Sequence, residues 1–251
     1  MNSKMKTLSL AVLGFVGFGA AGAAVAACPA SLTPPWTALN VGSGGAATSV
    51  TGGYDSTECR LQSALGTSGA SRAQVRDDTP ANETRYRAQF IFDASSLSGA
   101  GGTNQADIFL ANAPAANNGL LRLIQGKFLG AGAGTKRVQL IAACNNGGTS
   151  KCLGTVENLP NQTGPNRIEF DLTVGAAGTL KYWISDATGP APAEASTTGT
   201  ITITGGNAGW VGVDQAYLGL ASPSPAFRAA NAGANGYFDQ FDSRRQTYIG
   251  H

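Results

Sequence analysis

Glu169 and Asp171 are the residues best placed to do chemistry in this 251-residue chain. Two positions apart on a strand, they project from one face. Paired carboxyls about 5 Å apart can act as nucleophile and as acid and base in glycoside cleavage. Arg167 precedes them on that face, and Lys181 and Trp183 join it from the next run of residues. An indole flanked by charges can stack on a sugar ring, so Arg167, Glu169, Asp171, Lys181 and Trp183 form the candidate ligand-binding set. No third acid follows on the strand, where Val174 and Gly175 stand instead. The expectation is therefore a solvated ionic face on which Lys181 neutralises one acid across the strand pair. Such a face binds and does not cleave, and no residue is assigned a catalytic role.

Other constellations point to less. Asp77-Asp78, and Asp239 with Asp242, could offer oxygens to calcium, but they lack the oxygen-rich spacing of a dedicated site and read as solvated turns. Gly-x-Ser-x-Gly is missing, and the one histidine is His251, so a serine hydrolase has no base. No glycine run leads into Lys-Ser or Lys-Thr to cradle a phosphate. Neither a cofactor nor a metal is expected.

These side chains sit on period-two runs. Ile168, Phe170 and Leu172 alternate with Arg167, Glu169 and Asp171; Leu180, Tyr182 and Ile184 alternate with Lys181, Trp183 and Ser185. Joined by Val174-Gly175-Ala176-Ala177-Gly178, they form a hairpin with one apolar side. A lone hairpin is marginal in water, so that side needs a second sheet. Further strands are expected at 46–52, 59–65, 71–76, 83–93, 106–113, 120–128, 136–144, 153–159, 198–204, 210–221 and 236–248. Gly- and Asn-rich turns separate them. Phe90-Ile91-Phe92 and Ile108-Phe109-Leu110 are apolar on both sides and belong to central strands. In 236–248, Phe238 or Phe241 enters the core, while Arg244 and Arg245 meet Asp239 or Asp242. The predicted class is all-β, an antiparallel two-sheet sandwich with few or no helices, in one domain over 28–251.

Residues 1–27 have the build of a secretory signal: Lys4 and Lys6, an apolar stretch from Leu8 to Phe18, then small residues. Export to a periplasmic, secreted or surface location follows. A spanning helix is disfavoured, since no stop-transfer charges come after. Val25-Ala26-Ala27-Cys28 also resembles a lipoprotein box, so a lipid anchor at Cys28 is the alternative. Of 17 Lys and Arg, Lys4 and Lys6 fall in the leader, leaving as many basic residues as the 15 acidic ones. A neutral chain offers no patch to nucleic acid. Cys28, Cys59, Cys144 and Cys152 allow three pairings in an oxidising compartment. The Gly-rich loop between Cys144 and Cys152 favours that bridge, with Cys28–Cys59 by elimination; a lipid on Cys28 would leave Cys59 odd.

Arg85-Tyr86-Arg87-Ala88-Gln89-Phe90-Ile91-Phe92, the hairpin Arg167 to Asp186, Tyr217-Leu218-Gly219-Leu220 and Phe238-Asp239-Gln240-Phe241 give the chain a pattern that resembles the concanavalin A-like, laminin-G-like jelly-roll superfamily. The resemblance implies two stacked antiparallel sheets and binding of glycans or proteins on a sheet face or rim. The acidic catalytic motif of the enzymes in that superfamily is missing here. The leading expectation is a secreted or cell-surface binding module for a polysaccharide, surface glycan or surface partner. A structural envelope or matrix protein comes next, and a divergent glycoside hydrolase or polysaccharide lyase acting through Glu169 and Asp171 last.

Overall fold

The structure is a computed structural model that describes residues 28–54, 57–117, 119–146, 149–244 and 246–250, with backbone alone at 146 and 149–153. The leader expected at 1–27, and Arg245, lie outside the described residues. Two seven-stranded sheets face each other. With strands numbered along the chain, sheet I runs β1 (Ala38–Gly42), β4 (Arg72–Asp77), β13 (Gln215–Ala221), β6 (Gln105–Asn117), β7 (Leu120–Gly130), β8 (Lys136–Asn146), β9 (Thr149–Asn158). Sheet II runs β12 (Gly199–Thr202), β11 (Thr179–Asp186), β10 (Pro165–Thr173), β5 (Arg85–Asp93), β14 (Asn235–Arg244), β3 (Cys59–Ala64), β2 (Ala46–Thr51). Neighbouring strands in both sheets are antiparallel.

The hairpin forms in the expected register: Ile168 opposes Ile184, Phe170 opposes Tyr182, and Leu172 opposes Leu180. All six are buried. Gly178 closes the turn where an added methyl would meet Asn207 Oδ1 at 2.5 Å. That same oxygen accepts the Gly175 amide at 2.8 Å, so the turn is fixed to the loop after β12. Across the interior Phe90 of sheet II lies 5.4 Å from Phe109 of sheet I, between ring centroids, and 5.9 and 6.4 Å from Phe170 and Phe238. Burial of such rings is the main drive to close the two layers.

The closing strand buries both Phe238 and Phe241. Residues three apart face opposite sides of a regular strand, but the pairing with β5 slips between Asp239 and Asp242, and Gln240 has φ +48°. This bulge absorbs one residue and turns both rings inward. Beyond Arg244 the expected strand to 248 does not continue: the chain leaves the sheet and folds back over its outer face. The expected strand over 210–221 begins at Gln215, after a single 3-10 turn at Ala208–Trp210. Besides that turn, two further elements were not foreseen. One is the five-residue edge strand β1. The other is the helix α1 (Pro225–Ala230), whose Ser224 Oγ accepts the Phe227 amide at 3.0 Å and which seats Phe227 against Phe128. Ser followed by Pro is a helix-start signal that was there to read.

Cys28 is disulfide-bonded to Cys59, which ties the first described residues to β3 and leaves no Cys28 thiol for a lipid anchor. The expected Cys144–Cys152 bridge is corrected: Cys144 is a free thiol buried in the core. The β8–β9 hairpin pairs Cys144 with Lys151 and Ala143 with Cys152. Proximity across the loop does not by itself put two cysteines opposite each other in the register.

Candidate functional site

The register aligns the polar side chains of sheet II into rows across β14, β5, β10 and β11. One row reads Asp242, Gln89, Glu169, Trp183; the next reads Arg244, Arg87, Asp171, Lys181. Arg167 lies in a third row with Ser185. The structure thus brings together all five candidate residues of the sequence. It does not leave them wet. Glu169 is 1% exposed, Trp183 2%, Asp171 3% and Arg167 4%; of the five only Lys181 is exposed. The expectation of a solvated ionic face is corrected accordingly.

Two segments of the same chain cover the rows. The Pro/Ala-rich excursion after β11 places Glu194, whose carbonyl accepts the Trp183 indole N–H at 3.2 Å and whose carboxylate accepts Arg87 Nη2 at 2.6 Å. The closing segment 246–250 crosses from the other side. Its Ile249 and Gly250 amides donate to the two oxygens of Glu169 at 3.0 and 3.2 Å. The Tyr248 ring lies 5.3 Å from that of Trp183, and its hydroxyl donates to the Pro192 carbonyl. Beneath them Asp171 receives Arg85 Nε and Nη2 at 3.1 and 3.0 Å and Arg87 Nη2 at 2.7 Å. Arg244 Nε reaches Asp242 at 2.9 Å.

The electrostatics separate the two carboxyls. Burial pushes Glu169 above the ordinary range against the pull of the two backbone amides. Burial would also raise Asp171, but the guanidinium groups of Arg85 and Arg87 hold it below that range. Both acids have their oxygens committed to the chain itself, so no open carboxylate pair faces a substrate.

The sign of the pH effect follows. A raised folded pKa means the folded state holds the proton more tightly than the unfolded chain. The stability from Glu169 is therefore full below about pH 4.3, the unfolded value, and is lost as pH rises through the folded one. Asp171 runs the other way, contributing above about pH 3.9 and losing that contribution as pH falls through its lowered value. Glu169→Gln keeps an acceptor for the closing segment and removes the ionisation. Its melting temperature relative to wild type should rise between about pH 4 and about pH 7; a constant difference would contradict this.

Of the acids read as solvated turns, Asp77, Asp239 and Asp242 are also buried, while Asp78 is half-buried and pairs with Arg76 at 2.8 Å. Asp77 accepts the Thr79 amide and hydroxyl at 3.0 Å each, and Asp239 accepts the Tyr54 amide at 2.7 Å. Among the described residues no three His, Cys, Asp or Glu side chains converge to hold a metal ion.

At its β3 side the same face stays partly open, and sequence reasoning missed what stands there. Arg60 lies between two aromatic rings, its guanidinium 3.8 Å from the Tyr237 centroid and 5.2 Å from that of Tyr54. Arg60 Nη1 donates to the Tyr54 hydroxyl, which donates to Asp93; Arg60 and Asp93 also pair at 3.6 Å. Tyr54, Arg60 and Tyr237 are half-buried. Tyr237 sat in the singled-out closing segment, but Tyr54 and Arg60 lie far off in sequence. The β3–β14 pairing brings Arg60 to it, and Tyr54, in the loop between β2 and β3, is held there by its bonds to Asp239 and Asp93.

No family model matches the sequence, and a search of curated proteins finds no match. Solved structures do match. An endo-β-1,4-glucuronan lyase from the fungus Trichoderma reesei superposes with a TM-score of 0.55 at 11% identity, covering 84% of this chain and 91% of that one. The fold is the concanavalin A-like jelly roll. The cellulose-induced protein Cip1 gives 0.53 at 14% identity over 86% of this chain and 93% of its own. A marine PL-14 alginate lyase from Aplysia kurodai gives 0.51 at 10% identity over 80% and 87%. At such identities the likeness concerns the jelly-roll frame, and function has to be argued from the site.

Proposed function

We propose that the chain is an exported, non-catalytic carbohydrate-binding jelly roll whose ligand meets the outer face of sheet II at Tyr54, Arg60 and Tyr237. The observation that carries this reading is the contrast within one face. Glu169 and Asp171 are sealed and paired with the chain itself, whereas the Tyr–Arg–Tyr stack reaches solvent. Aromatic faces take up the apolar side of a sugar ring, and a few convergent polar groups fix its hydroxyls. Arg60 and Asp93 supply those groups. The jelly rolls it resembles include lyases named for glucuronan and alginate, which supports a saccharide over other ligands. The Cys28–Cys59 bridge supports an oxidising compartment, in keeping with residues 1–27 as a removed signal. Among the described residues no helix is long and apolar enough to cross a membrane.

The test is a polysaccharide array with the wild-type chain, followed by titration of Tyr237→Ala. Binding weakened by about tenfold or more, with the circular dichroism unchanged, is expected. Absence of binding to every polysaccharide, or binding untouched by Tyr237→Ala and Arg60→Ala, would overturn the reading. One observation favours a structural spacer as the second reading: most of this face is closed by the chain itself. A spacer binds no glycan and assembles without one.

A further inference from the structure

The sealed rows contain polar atoms that the fold does not satisfy. Gln89 is fully buried in the row between Asp242 and Glu169, and among the described residues neither its amide nitrogen nor its oxygen has a hydrogen-bond partner. On the same face Arg87 Nε and Nη1 and Asp242 Oδ1 are likewise unmatched. Buried polar atoms are nearly always paired in folded proteins, so a cluster of them marks a place built for something else. Their chemistry is mixed: Arg87 and the Gln89 nitrogen donate, while the Gln89 oxygen and Asp242 accept. A carboxylate or phosphate would satisfy the donors and repel the acceptors. A hydroxyl, which donates and accepts, matches both. Around these atoms the buried or paired arginines Arg85, Arg87, Arg167 and Arg244 stand against Asp171, Glu169, Asp242 and Glu194. Lys181 adds one cation, but it is exposed and its charge lies in water, so the covered part of the face holds no large excess of cations to select an acidic sugar.

Of the two segments that cover this face, the excursion bearing Glu194 and the closing residues 246–250, the second is a short crossing. In segment 246–250, Gln246 and Thr247 are exposed, and its hold rests on the Tyr248 ring and hydroxyl, the Tyr248 carbonyl that accepts Arg244 Nη1 at 3.5 Å, the buried Ile249 and the two amides on Glu169. It makes no strand pairing. The Tyr248 ring lies against Trp183, where a sugar ring would stack.

We propose that segment 246–250 is a displaceable strap over a second binding site, and that a neutral saccharide competes with it for Trp183, Gln89 and Arg87. The proposal rests on the reading of this face as a saccharide surface, and it adds both the ligand class and its regulation. The apparent affinity scales with the fraction of chains whose strap is open, so a mostly closed strap weakens binding. Tyr248→Ala removes the ring and keeps the backbone bonds to Glu169.

Titration with neutral hexaoses (β-1,4-glucan, β-1,4-mannan, β-1,4-xylan) and with hexauronates tests it. Tyr248→Ala should bind a neutral hexaose about tenfold more tightly than wild type. Adding Gln89→Ala should cancel that gain, and adding Tyr237→Ala should leave it. In the wild-type chain, hydrogen exchange at the Ile249 and Gly250 amides should be faster than global unfolding allows and should speed up further with the neutral hexaose bound. No gain in Tyr248→Ala, a gain for hexauronates alone, or exchange at these amides only through global unfolding would overturn the proposal. Should Tyr248→Ala fail to fold, the wild-type exchange decides by itself. Loss of binding in Tyr237→Ala without a gain in Tyr248→Ala would sink the strap alone; the reverse pattern would sink the open-side reading alone.

Discussion

Arg87→Ala should lower the unfolding free energy by about 3–5 kcal/mol, the range seen when one partner of a buried ion pair is removed. The Arg87 side chain is 2% exposed and bonds both Asp171 at 2.7 Å and Glu194 at 2.6 Å. Without it Asp171, itself 4% exposed at the side chain, keeps only Arg85. Arg85 is 42% exposed, so Arg85→Ala should cost under about 1 kcal/mol although it touches the same carboxylate. The ratio of the two effects distinguishes a sealed lattice from a wet surface, since on a wet face both losses would be small. Adding Asp171→Asn to Arg87→Ala should recover a good part of the loss, because the penalty comes from a charge left without its partner. Urea denaturation of the singles and the double measures the coupling.

Phe90→Ala should cost a similar amount, about 3–5 kcal/mol, through lost burial and a cavity that the sheets cannot collapse to fill. Phe90 is fully buried and contacts Phe109 across the interior and Phe170 and Phe238 within its own sheet. For a chain of this size the melting temperature should fall by about 10 °C. The denaturant midpoint should drop at unchanged slope, since the surface exposed on unfolding hardly alters. A change in slope instead would mean that the two layers no longer close.

Both predictions show what the alternation of residues could and could not report. Ile168, Phe170 and Leu172 with Leu180, Tyr182 and Ile184 needed only period two to be placed in the core, and the two-sheet class followed from them. The ionic half of that hairpin was assigned to water for the same reason, and wrongly. Alternation says which side of a sheet a residue faces, not whether another segment lies on that side. The covering residues Glu194, Tyr248 and Ile249 reach Trp183 and Glu169 by tertiary contacts that leave no local pattern. A fainter signal was present: the basic residues of β5, Arg85 and Arg87, answer the acids of β10, and such matched charges suit a buried lattice. Of the two cysteine pairs, Cys28–Cys59 was legible and Cys144–Cys152 was not: a Gly-rich loop shows that two cysteines are near in sequence, not which residues its strands pair, and Cys144 pairs with Lys151. At Phe238 and Phe241 the bulge broke the period itself.

Hydroxyl-radical footprinting of the intact chain, read by mass spectrometry at each aromatic residue, tests the closed polar face most directly. Trp183 beneath the strap should oxidise as slowly as Trp210, which is 1% exposed in the core, while Tyr237 and Tyr54 react faster. Oxidation of Trp183 at the rate of the unfolded chain, with Trp210 still protected, would contradict the closed face.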